Sequence, residues 1–330
     1  MINPNVVTPR LAMLVTLVNI PLFSLSAAHA QTNINLSSGL TYINQQNLQS
    51  NPVATTDGTL TSRRTGWQLG IGGSWQQLDD GGGYAVDAQA SADQGLDGAN
   101  TIHSATLDAS WMHPLSSRWL SRINVNVGNY QDDDQPAYSN QATGVGLTLG
   151  WFGSHNAGLD LTVHGQQEEY KDNPDQAYDA NRYNLSSRYY FAHTRHSAYW
   201  SVAIEIGRFE VSSLPGYSYD SQRLTLAYNA WRWQKLSANI QLQWRHNRFD
   251  RVRNRRPSTP AIGGGMLLAN PPSPQTTAQS DSYLTATLNL SYLLSEQWRL
   301  RADLNSGQYR SNVAEDRPLL GAYLGLSVHY

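Results

Sequence analysis

The stretch LLGAYLGLSVHY, residues 319–330, places Leu320, Ala322, Leu324, Leu326, Val328 and Tyr330 on one face of an extended chain. Gly321, Tyr323, Gly325, Ser327 and His329 fall on the other. This is a strand with one oily side. The alternation returns in TGWQLGIGGSWQ (65–76), where Trp67, Leu69, Ile71 and Trp75 oppose Gln68, Gly70, Gly72 and Ser74. It returns again in KLSANIQLQWRH (235–246), with Leu236, Ala238, Ile240, Leu242 and Trp244 against Ser237, Asn239, Gln241, Gln243 and Arg245.

Segments of this kind predict strands at 33–43, 66–77, 84–92, 101–112, 119–130, 142–152, 158–170, 182–193, 198–210, 219–232, 235–249, 281–293, 298–310 and 319–330. That is about fourteen, each near the nine to eleven residues with which a tilted strand crosses a bilayer. Their connections alternate in length. Short ones, LDDGGG (78–83), HPLSS (113–117), GSHNA (153–157), TRHS (194–197) and SEQ (295–297), take turns with longer polar or Pro-rich ones such as 44–63 and 250–280. Trp75, Trp111, Trp119, Trp151, Trp200 and Trp298 lie beside the short connections and on the apolar face, where an interfacial aromatic girdle belongs. A β-sandwich also alternates, but it would gather these rings in a core.

Composition agrees. The 330 residues hold 26 Gly, 18 Tyr and 10 Trp, with 15% charged residues and a formal net charge of -2, which gives no reason to expect nucleic acid as a partner. The mean hydropathy of -0.49 speaks against a bundle of membrane helices. Absence of Cys excludes disulfides and thiolate metal sites. Residues 1–30 read as a secretory signal: Arg10 precedes an apolar run, Leu11–Ala27, and Ala28-His29-Ala30 offers a small-x-small cleavage site before Gln31. The expectation is an all-β chain: a cleaved signal, then a transmembrane antiparallel up-and-down barrel of about fourteen strands over 31–330, in a bacterial outer membrane.

If the apolar face meets lipid, the other face lines the lumen. Its charged members are Asp87, Asp108, Arg122, Asp160, Arg182, Arg188, Glu205, Arg223, Arg245, Arg299, Arg301 and Asp303. The arginines gather in the second half of the chain, while Asp87, Asp108 and Asp160 lie in the first. Two readings stand: a transverse field that selects polar or anionic permeants, or cross-lumen ion pairs that stiffen the barrel. A basic external segment, Arg248, Arg251, Arg253, Arg255 and Arg256, opens the longest loop; it suits the phosphates of lipopolysaccharide, an acidic partner, or an inward constriction. Leu324, Leu326, Val328 and Tyr330 form a terminal strand like those read by the outer-membrane insertion machinery.

No catalytic residue, metal or cofactor is expected. Neither G-x-S-x-G nor H-E-x-x-H occurs, and His193 and His196 lack a third ligand nearby. A hydrolase built from His103 with Asp132 to Asp134 is the enzymatic alternative.

The segment SYLTATLNLSYLLSEQWRLRADLNSGQYRSN (282–312) with DRPLLGAYLGLSVHY (316–330) resembles the close of the barrel in surface lipoprotein assembly modifiers and related export barrels. Leu288, Leu290, Tyr292, Trp298, Leu300, Ser311, Asn312, Arg317, Leu324 and Gly325 carry the likeness. The resemblance implies a fourteen-stranded barrel with a secreted protein or lipoprotein client. It departs where Gln31 leads almost directly into the first strand, without the helical repeat domain expected to receive that client. Expected function is therefore passage of polar solutes or exported protein through a monomeric barrel. A diffusion porin without a client and a filled, adhesive barrel are the alternatives.

Overall fold

Alternation with one apolar face leaves a strand two unpaired edges, and in lipid each unpaired backbone group is costly, so the sheet must close on itself. The computed structural model shows that closure; it describes residues 30–43, 64–79, 82–96, 101–133, 139–153, 157–170, 179–192, 198–212, 218–252, 278–312 and 316–329. Fourteen strands run in chain order: β1 (Ala30–Ile43), β2 (Arg64–Asp79), β3 (Gly82–Gly95), β4 (Thr101–Ser116), β5 (Trp119–Asp132), β6 (Asn140–Phe152), β7 (Ala157–Tyr170), β8 (Ala180–Ala192), β9 (Tyr199–Val211), β10 (Tyr219–Trp233), β11 (Leu236–Val252), β12 (Ala278–Leu293), β13 (Trp298–Ser311) and β14 (Arg317–His329). Each pairs antiparallel with its sequence neighbours, and β1 pairs with β14 to complete a closed barrel.

Every predicted strand has its counterpart, with ends shifted by a few residues. The largest shift is in β4, which runs through His113 and Pro114 to Ser116, where a turn was expected. Pro lacks a donor for the ladder, and a register shift between Pro114 and Ser116 absorbs it at the end of the strand. Of the expected signal, residues 1–30, all but the last lie outside the described residues, and that last one, Ala30, opens β1.

The apolar face points outward. Leu36, Leu69, Leu107, Val125, Leu147, Val163, Leu185, Ile204, Leu226, Leu242, Leu284 and Leu324 are large apolar side chains exposed on the barrel's outside. Trp111, Trp119, Trp200 and Trp298 are exposed there too, and Trp119 pairs in register with Trp151 near the short turn. The Tyr228 ring meets Trp200 of the neighbouring strand at 4.7 Å, tilted by 36°. This is the expected girdle at the turn end of the sheet.

The closing seam runs from Asn35 opposite His329 to Ile43 opposite Gly321. At its middle Gly39 faces Gly325, and the Tyr323 ring lies across both. A Cβ on Gly39 would stand 2.7 Å from Tyr323 Cε2 and 2.6 Å from Gly325 Cα. Only glycine lets the two backbones and the ring come this close.

Candidate functional site

The barrel interior is the place where polar side chains converge, and its two halves differ. On β3 to β5, the inward Asp87, Gln89, Thr106, Asp108 and Arg122 are exposed although they point into the barrel. That part of the lumen is open to water. Asp87 and Asp108 stand directly opposite each other across the β3–β4 pair. Next to them, glycines thin the wall: His164 Nε2 lies 2.9 Å from Asn126 Oδ1, and a Cβ on Gly144 would come 2.9 Å from the same His164 atom. A Cβ on Gly146 would collide with Asn124. Side chains thus lie flat against β6 instead of projecting inward.

The opposite wall, β7 to β13, is packed. Glu168 accepts from Arg182 Nε at 3.1 Å, from the Tyr170 hydroxyl at 3.0 Å and from Gln166 at 3.0 Å. Arg182 lies over the Phe209 ring at 5.0 Å, and the rings of Phe209, Tyr219 and Phe249 follow one another at 5.1 and 5.0 Å across β9, β10 and β11. Arg245 lies over Tyr283 at 4.7 Å, and Tyr283 meets Tyr309 at 5.1 Å. Phe209, Tyr219, Phe249, Tyr283 and Tyr309 are all buried. Arg223 pairs with Glu205 at 3.4 Å, and the buried Asp281 carboxylate is held by a neutral amide, accepting from Gln279 at 3.1 Å. Arg182, Arg223 and Arg245 therefore each sit against a carboxylate or a π face, the geometry in which a buried cation is tolerated.

The predicted lumenal residues lie on the strand face opposite the exposed apolar one, and they do not form one field. Arg182 and Arg223 are neutralised by acids of their own wall, and Arg301 pairs with Asp303 at 2.8 Å near the turn end, beneath Tyr323. Arg299 stands between Leu293 and Ser327 in register. Asp160 faces Arg188 across β7–β8. The basic segment divides: Arg248 and Arg251 belong to β11, with Arg248 exposed, while Arg253, Arg255 and Arg256 lie outside the described residues. Leu324 and Leu326 are exposed on the outward face, Val328 is buried opposite Trp298, and Tyr330 lies outside the described residues.

Sequence reasoning did not name Glu168, Asp281 or the five buried rings. Their signal was present: Phe209, Tyr219, Phe249, Tyr283 and Tyr309 are aromatic residues at positions whose phase belongs to the polar face. Of the residues considered for catalysis, His103 pairs across the sheet with Gln131, which donates to Asp133 at 3.1 Å. His193 and His196 lie outside the described residues. Among the described residues no three His, Asp or Glu side chains come together as a metal site.

A closed antiparallel barrel, apolar outside, polar inside and ringed by aromatic residues at the turn end, defines a bacterial outer-membrane β-barrel. No family model and no curated protein matches the chain. Among solved structures it is similar to the anion-selective porin from Comamonas acidovorans, at 11% identity over 92% of this chain and 99% of that one, with a TM-score of 0.43. Outer-membrane expressed OmpT of Vibrio cholerae matches at 7% identity over 91% and 97%, with a TM-score of 0.48. A bacterial polysaccharide outer membrane secretin matches at 6% identity over 91% and 98%, with a TM-score of 0.45. At such identities and scores the likeness says nothing of what passes through this lumen.

Proposed function

We propose that the barrel is a passive channel for small polar solutes, without enzymatic activity, working as a monomer in the outer membrane. One observation carries this reading: Asp87, Gln89, Thr106, Asp108 and Arg122 point inward and remain exposed, so water reaches the middle of the barrel along the β3–β5 wall. A fully filled barrel would bury them. Fourteen strands lie between the eight of a side-chain-filled barrel and the sixteen of an aqueous pore, which suits a narrow passage bounded on one side by packing. The test is single-channel conductance of the refolded chain, signal removed, in a planar bilayer. Stable ohmic openings support the proposal; silence from a barrel that shows heat-modifiable migration overturns it.

A second reading, passage of an exported polypeptide, rests on the terminal strands that resemble assembly-modifier barrels and on the matching strand number. Deleting a secreted neighbour of this gene distinguishes the two, because a diffusion channel keeps its phenotype without it. The same proposal places the exposed Arg248 against lipopolysaccharide phosphates and gives Leu324 and Leu326 to the insertion machinery.

A further inference from the structure

Between the packed aromatic cluster and the short turns, the wall from the end of β6 to β11 lines an open-sided cavity of about 640 Å³. Small side chains make the room. Ser201 and Ala203 on β9 and Ala227 and Thr225 on β10 pair across these strands, bounded by Glu205 with Arg223 on one side and Tyr199 with Asn229 on the other.

Three features single out this cavity. First, Asp160 and Arg188, both in its lining, are register partners, yet neither closes an ion pair or hydrogen bond with any described residue. Elsewhere in the lumen Arg182, Arg223 and Arg301 do close theirs. Second, Tyr190 and Tyr199 stand edge to face with centroids 6.5 Å apart, giving an apolar surface beside the two charges. Third, the ladder between β10 and β11 is irregular at this point. A register shift between Tyr228 and Trp231 puts Ala230 at φ 55, and its N–H donates to Asn239 Oδ1 at 2.7 Å. A non-glycine residue in that region is strained, and bulges re-aim the side chains beside them. Here the neighbour is Asn229, whose amide donates to Ser201 Oγ at 3.2 Å in the cavity wall.

We propose that this cavity binds zwitterionic amino compounds, free amino acids or short peptides, with the carboxylate on Arg188, the ammonium on Asp160 and the side chain against Tyr190 and Tyr199. The inference deepens the channel reading and rests on it. Opposite charges on adjacent strands, about 5 Å apart at the backbone, suit a ligand that carries both signs at short separation. A sugar would satisfy the amides of Asn229 and Gln241 but leave the two charges unanswered. A simple anion would answer Arg188 and meet repulsion from Asp160.

The test uses the whole refolded chain and L-phenylalanine as probe, read in two ways: block of single-channel current, and equilibrium binding in detergent by calorimetry. Phenylalanine is expected to interrupt the current and to bind; phenylacetate, phenylethylamine and glucose are expected to do so more weakly by about tenfold or more, the loss of one charge-assisted contact. D160N and R188Q should each weaken phenylalanine by a similar factor. A conducting pore with neither block nor binding overturns the site and leaves the channel standing. A silent barrel that binds phenylalanine, with loss in D160N and R188Q, overturns the channel and leaves the site. Equal action by phenylacetate or glucose on the unmodified chain overturns the zwitterion assignment whether or not the variants fold.

Discussion

The two walls of this barrel obey the same alternation and reach opposite outcomes. Along β3 to β6 the inward positions hold Gly144, Gly146, polar side chains, Arg122 and two carboxylates, Asp87 and Asp108, that face each other in water. Along β7 to β13 many of them are arginines, acids and aromatic rings that bury one another, with Arg188 and Arg299 left exposed. The difference teaches that polar-inward patterning fixes which face is inside but not whether the inside is filled. Side-chain volume and charge pairing decide that. One wall is left thin enough for water, and the other is thick enough to act as a core.

Breaking the packed wall should have the largest effect. Glu168→Ala leaves Arg182 without its carboxylate and should cost about 3 to 5 kcal/mol, the loss expected when one partner of a buried ion pair is removed, seen as a lower urea midpoint. The thin wall should respond to added volume. Gly146→Val would drive a side chain into Asn124 and His164, costing about 1 to 3 kcal/mol by overpacking and lowering single-channel conductance. Charge on that wall should matter for selectivity more than for stability. Asp87→Asn with Asp108→Asn removes like charges held opposite each other, gaining roughly 0.2 to 1 kcal/mol, and should move the reversal potential toward anions. The smallest change is expected on the outer rim. Arg208 donates to Asp250 at 2.8 Å, but both are largely solvated, so Asp250→Asn should shift the urea midpoint by no more than roughly 0.5 kcal/mol.

Much of this was legible in the sequence because lipid is an unforgiving solvent. It demands one apolar residue in two over each crossing, and Leu236 to Leu242 or Leu320 to Leu326 show that demand without any partner being known. Strand number, direction and closure follow from it, as does the place of Trp111, Trp119 and Trp298. The lumen was legible only as a list of inward residues. Nothing in the period of two says that Glu168 reaches Arg182 rather than water, or that Tyr219 lies between Phe209 and Phe249, since those choices depend on neighbours brought together by register. A closer reading of phase would have helped. An aromatic residue on the wrong beat, as at Phe209 or Tyr283, marks a packed interior in a chain whose inward positions are otherwise polar.

The seam at Gly39 and Gly325 joins the first and last strands of the sheet. Thirteen of the pairings are between sequence neighbours and can form as hairpins as the chain becomes available. The remaining one brings Asn35 to His329, and that separation gives it the highest contact order in the molecule. Before it forms, both outer edges of the sheet are bare, the state most open to pairing with another chain. The Tyr323 ring can drop across the two glycines only when both backbones have arrived. The β1–β14 seam is therefore the pairing with the largest loop to close, and it is fitted at its middle by two residues without side chains.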